Sequence, residues 1–165
     1  MERKMRRFRQ QLTDAENEAV LRRGTHGVLA LDGDDGTPYA VPVSYVYDNG
    51  RIFIHGASSG YKIDCIRKNP KVSFCVVDLD EIHPERFTTH FRSVIVFGKA
   101  RILEKEEIRE ALLKLALRYT PDDREGCEAE TDGAVSRVAM IEILPDQITG
   151  KQAKELMRRQ EENIK

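Results

Sequence analysis

The 165 residues suit one domain and are enough to bury a real core. At 40% hydrophobic and 33% charged, the composition excludes a disordered chain. With 27 basic against 28 acidic residues, the net charge of −1 excludes nucleic-acid or membrane-surface binding driven by bulk charge.

The basic start (Arg3, Lys4, Arg6, Arg7, Arg9) is followed by Gln10, Gln11 and Thr13 instead of an apolar stretch, so it does not read as a secretory signal. No apolar run approaches membrane-spanning length. Cys65, Cys75 and Cys127 are odd in number and lack paired spacing, as expected for reduced thiols in a cytoplasmic protein.

In chain order, Thr13 and Glu16 make a capping box for a helix that closes near Gly24, after Arg22 and Arg23. Strands are expected over residues 27–31, 39–47 and 51–55, with turns at Asp32–Gly36 and Asp48-Asn49-Gly50, an antiparallel meander. Ile63 and Ile66 mark a short helix stopped by Asn69-Pro70. Residues 71–77 return to strand, and the polar stretch 79–90, which contains Pro84, reads as a loop. Residues 91–103 form the longest strand-like segment. Ile108, Leu112, Leu115 and Leu117 define a helix over 104–119. Residues 122–132 are acidic and read as mobile, residues 135–144 as a last strand ended by Pro145, and the charged tail from 151 as helical. This order favours a barrel or sandwich over a parallel βαβ sheet.

The stretch His55-Gly56-Ala57-Ser58-Ser59-Gly60-Tyr61-Lys62 joins a strand to a helix. Two glycines, the hydroxyls of Ser58 and Ser59, free helical N–H groups and the Lys62 charge make a phosphate cradle. An ordinary connection with a solvated lysine has the same composition. Walker A and dinucleotide-binding glycine patterns are both absent. Pro42 cannot donate to a ladder, which places its strand at an edge or a bulge. Of the four histidines, His55 is the candidate site residue, either as a proton donor or as a strand-end side chain bonded to backbone. His83 and His90 fall in the polar stretch and read as surface residues. No His or Cys pair has metal-ligand spacing, so no metal is expected.

The runs from Tyr39 to Gly50, Ile52 to Ala57, Gly60 to Asp64 and Asn69 to Cys75 resemble one family closely. So do Phe87-Thr88-Thr89 and Ser93 to Ala100. The chain is similar to the nitroimidazole-resistance (Nim-type) proteins, within the group related to pyridoxamine 5′-phosphate oxidase. The resemblance covers about residues 12–151 of what reads as a single domain, with a basic arm before and a charged tail after. It implies a split β-barrel that is mainly β with flanking helices, assembled as a homodimer with FMN in a cleft between subunits. It implies that Tyr61 and Lys62 hold the flavin phosphate, beside the Ser58 and Ser59 hydroxyls that the composition of the stretch already offers as a cradle. Val41, Pro42, Val43 and Ser44 would lie against the ring, Ile54 and His55 near the ring and ribityl chain, and Ser93 would reach the cofactor. Relatives often carry a basic or imidazole side chain where this chain has Tyr61, which brings no charge. The C-terminal tryptophan and arginine of pyridoxamine phosphate oxidases themselves have no counterpart, and the chain has no tryptophan.

The activity implied is FMN-dependent reduction of small nitro compounds, with His55 as the catalytic proton donor and NAD(P)H as a transient electron source. The alternative is a non-catalytic flavin- or haem-binding protein on the same fold.

Overall fold

The computed structural model describes residues 5–157. The predicted capping box opens α1 (Asp14–Arg23): Glu16 N–H donates to Thr13 Oγ1 at 3.3 Å, and Thr13 N–H to Glu16 Oε2 at 2.7 Å. The helix ends at Gly24, whose backbone is extended. What glycine supplies here is room, because the Tyr45 hydroxyl passes where a β-carbon would stand. That hydroxyl donates to the Leu21 carbonyl at 2.8 Å and ties the helix to the sheet.

Seven strands form one antiparallel sheet: β1 (His26–Asp32), β2 (Pro38–Ser44), β3 (Val46–Asp48), β4 (Arg51–Ala57), β5 (Lys71–His83), β6 (Thr88–Ile102) and β7 (Val138–Gln152). Their spatial order is β2-β1-β5-β6-β7-β4-β3. The two ends of that order, β2 and β3, are consecutive in the chain and separated only by Tyr45. One continuous course of backbone therefore starts on one edge and finishes on the other, curling the sheet into a split barrel. Asn49 and Gly50 both have positive φ (47° and 77°), as the β3–β4 hairpin requires. Pro42 lies on the edge strand β2, as expected.

The barrel interior is apolar, built from Leu29, Ile52, Ile54, Phe74, Val94, Val96, Ile141 and Ile143, and capped by Val20 and Leu21 of α1 and by Ile63 and Ile66 of α2 (Tyr61–Lys68). A second cluster lies outside. Ile108, Leu112 and Leu115 of α3 (Lys105–Tyr119) cover Phe53 and Met140 on the outer face of β4 and β7.

Four expectations fail. Residues 79–90 are not a loop: β5 and β6 continue as a hairpin arm with pairs Glu81–His90, Ile82–Thr89 and His83–Thr88. The arm lacks an apolar face, so it carries no periodic signal. His90, expected at the surface, is only 1% exposed. Residues 122–132 are not a mobile loop but mostly α4 (Arg124–Ala134), opened by the Asp123 carboxylate accepting from Gly126 N–H at 2.9 Å. α4 buries Cys127 and Thr131, one turn apart, and Arg109 of α3 binds its Asp132 at 2.6 Å. Pro145 does not end β7. It sits at a bulge, where the pairing with β6 steps from Phe97–Gln147 to Gly98–Pro145 and leaves Asp146 extra. The β-carbon missing from Gly98 leaves room for the Leu144 carbonyl. After Gln152 a helical turn covers residues 154–157; the rest of the predicted tail helix and the first four residues of the basic arm lie outside the described residues. Cys65, Cys75 and Cys127 are free thiols. None of the helices described is long and apolar enough to cross a membrane.

Candidate functional site

β2 and β4 approach each other across the split without a ladder between them. β3 pairs with β4 only as far as Phe53, so the Ile54–Ala57 backbone has an open edge there. Among the described residues β2 pairs only with β1, and its other edge is open too. Backbone N–H and C=O groups without ladder partners flank the opening on both sides.

Beyond Ala57 the chain passes Ser58 and Ser59, both exposed, and turns into α2 at Gly60. Gly60 has φ 126°, a conformation that favours glycine, and no side chain caps the helix. Its carbonyl accepts from Ile63 and Asp64 N–H at 2.9 and 3.1 Å, which leaves the N–H groups of Tyr61 and Lys62 outside the helical pattern. Free N–H donors at the positive end of a helix favour an anion.

Lys62 reinforces it. Its side chain is half-buried and lies over Gly56, where a β-carbon would stand 3.0 Å from Nζ. No acidic side chain among the described residues pairs with it. Burial lowers its pKa below the ordinary value of 10.5. A partly desolvated cation without a counterion among the described residues, beside open N–H donors, suits a phosphate group.

Tyr61 points elsewhere. Its hydroxyl oxygen accepts from Asp34 N–H at 2.7 Å, and its ring lies 4.8 Å from that of Tyr39, so it closes α2 onto the β1–β2 turn. Gly33 gives the hydroxyl room there.

The other candidate residues divide between faces. Ile54 is fully buried in the barrel, so only its backbone can reach a ligand. His55 is exposed but is paired with Met140, on the opposite face of β4 from Gly56 and the Lys62 ammonium. Val41 and Val43 turn inward and are half-buried, whereas Pro42 and Ser44 are exposed on the outside. Ser93 lies on β6 between Val77 and Lys151, with β1 and β5 separating it from β2. At about 4.8 Å per strand, that is roughly 14 Å from Ser44. One chain therefore unites Lys62, Gly56, the α2 N-terminus and the β2 edge, but not Ser93, and it turns the His55 side chain to the other face of β4.

Folding also assembles a group that the spacing does not announce: Glu81, His83 and His90, whose potential ligand atoms lie within 4.8 Å of one another. The expectation of no metal rested on separation along the chain, and the hairpin register removes that separation.

Residues 13–152 match the family model described as pyridoxamine 5′-phosphate oxidase. No curated protein sequence matches the chain. Among solved structures, a candidate 5-nitroimidazole antibiotic resistance protein from Bacteroides thetaiotaomicron is 23% identical, with 86% of each chain covered and a TM-score of 0.71. A protein from Mycobacterium smegmatis described as FAD and heme binding is 18% identical, with 88% of this chain and 74% of that one covered and a TM-score of 0.76. An FAD-binding protein from Mesorhizobium loti is 27% identical, with 88% and 98% covered and a TM-score of 0.60. These structures share the fold, and the family match spans the barrel from the α1 cap to the end of β7: the chain belongs to the pyridoxamine 5′-phosphate oxidase family.

Proposed function

We propose that this protein is an FMN-dependent reductase of small nitro compounds such as 5-nitroimidazoles, acting as a homodimer with the flavin at the subunit interface. The observation that carries the reading is the unpaired, half-buried Lys62 ammonium beside the uncapped N-terminus of α2. Lys62 and the Tyr61 and Lys62 N–H groups would hold the phosphate. The open edges of β2 and β4 would offer backbone groups to the flavin. When bound, the flavin supplies the electron transfer, and the chain supplies position and charge. His55, exposed at the end of β4, would hold the proton delivered to the reduced nitro oxygen. Electrons would come from NAD(P)H as a transient visitor.

The separation of Ser93 from the β2 edge supports a site shared between two copies. So does the outer face of β2, β1, β5 and β6. Val28, Val77, Ile95 and Phe97 lie on that one face, with Val77 58% and Phe97 45% exposed. A continuous apolar face of this kind suits a partner subunit.

The test is turnover of a 5-nitroimidazole by the FMN-loaded protein with NADH or NADPH, with His55→Ala alongside. Expected are substrate-dependent oxidation of the nicotinamide and, in His55→Ala, retained FMN with slowed turnover. FMN-loaded protein that does not oxidise the nicotinamide would leave a binder rather than a reductase. Full turnover by His55→Ala would remove that side chain from the chemistry.

A further inference from the structure

We propose that the arm formed by β5 and β6 carries a zinc site with Glu81, His83 and His90 as ligands. Glu81 and His90 are directly opposite in the register, and His83 is two residues beyond Glu81, so all three share one face of the hairpin. The imidazole rings lie 3.9 Å apart between centroids, and His83 Nε2 is 3.8 Å from the Glu81 carboxylate.

The nitrogens themselves point to a ligand. Among the described residues the Nε2 atoms of His83 and His90 are both buried without a hydrogen-bond partner, and His90 as a whole is 1% exposed. Two buried, unsatisfied ring nitrogens cost stability unless something occupies the space between them. A divalent cation takes a lone pair from each.

The tautomer is set for this. His83 Nδ1 lies 3.3 Å from the Glu85 carboxylate. A proton held there leaves Nε2 as the free lone pair, an arrangement in which a carboxylate orients a metal-binding histidine. Two imidazoles and one carboxylate form a ligand set typical of zinc, with a fourth position left for water. Bond lengths of about 2.0–2.1 Å require the ligand atoms to close in slightly. The Glu81 side chain, largely exposed, can move to do so and leaves a path from solvent. The nearby Arg92 is already engaged, with Asp78 at 3.2 Å and the Gln152 side-chain oxygen at 2.8 Å.

The site is separate from the Lys62 group, so its test does not depend on flavin. The full chain, without a histidine tag and stripped with chelator, is titrated with Zn²⁺ by calorimetry and with Co²⁺ by visible absorption. Expected are one saturable Zn²⁺ per chain, a Co²⁺ spectrum of low coordination number that Zn²⁺ displaces, and a higher melting temperature with Zn²⁺. His83→Ala and Glu81→Ala, both at accessible positions, lose saturable uptake while far-UV circular dichroism is unchanged. Glu85→Gln weakens uptake about tenfold through ring orientation. His55→Ala and Cys75→Ser leave it unchanged. Failure of the stripped wild type to take up Zn²⁺, or uptake that survives the double variant Glu81→Ala/His83→Ala, overturns the proposal.

Discussion

The Lys62 ammonium rests on Gly56, and the side chain that Gly56 lacks would stand 3.0 Å from Nζ and 3.4 Å from Cε. The group displaced by a substitution there is the end of a flexible side chain, not backbone. Gly56→Val should therefore leave the fold intact, since β-branched residues suit a strand. It should move the cation and lower FMN affinity about tenfold, or about 1.4 kcal/mol. Fluorescence titration with FMN and a thermal melt check both parts. Lost affinity with an unchanged melting temperature is the expected pair.

Affinity for FMN should fall at alkaline pH. Burial lowers the pKa of free Lys62 below 10.5, while a bound phosphate would raise it again. The protonated lysine binds the anion, so affinity is fully present below the lowered pKa. It declines as pH rises through that value and levels off above the pKa of the complex. Titrations from pH 7 upward check this, and Lys62→Arg should stay flat over the range where wild type declines.

Much of this framework is written locally. Thr13 and Glu16 announce α1, Asn49-Gly50 the β3–β4 hairpin, and Pro42 an edge strand, because each depends on residues a few positions apart. The Gly-Ser stretch before Lys62 is legible as a cradle for the same reason. What sequence misses depends on register or close approach. Pro145 reads as a strand end until Gly98 opposite it creates a bulge. Tyr61 reads as a phosphate neighbour until Gly33 gives its hydroxyl a place at Asp34. Glu81 and His90 are nine positions apart in a polar segment, and only the pairing of β5 with β6 makes them neighbours.

Asp78 connects α1 to the sheet. Its carboxylate binds Arg23 at 2.5 and 2.6 Å and Arg92 at 3.2 Å. Burial pushes its pKa up, but the two guanidinium groups together outweigh this and hold it below 3.8. A carboxylate depressed in the folded state contributes stability above its unfolded pKa and loses it as pH falls through the folded one. Asp78→Asn should cost about 1–2 kcal/mol at neutral pH, discounted because Arg23 is half-exposed. The difference between variant and wild type should shrink below about pH 4. Urea melts at neutral and acid pH measure both.

The outer face of β1, β5 and β6 should be covered by a second copy. Phe97→Glu, or Val28→Glu on the neighbouring part of the same face, places a charge where the apolar contact would form. Either should shift the protein to monomer in sedimentation velocity. Either should also lower FMN affinity if Ser93 of the partner completes the site. A monomeric wild type would limit the flavin to the Lys62 group of a single chain.

If Lys62 and the start of α2 hold a flavin phosphate, titration of purified wild type and Lys62→Ala with FMN, followed by visible absorption and flavin fluorescence, will separate the two proteins. Expected is saturable binding by wild type, at least about tenfold weaker in the variant, from loss of a charge-assisted contact. A wild-type protein that leaves the spectrum of added FMN unchanged, or a variant that binds as tightly as wild type, would contradict it.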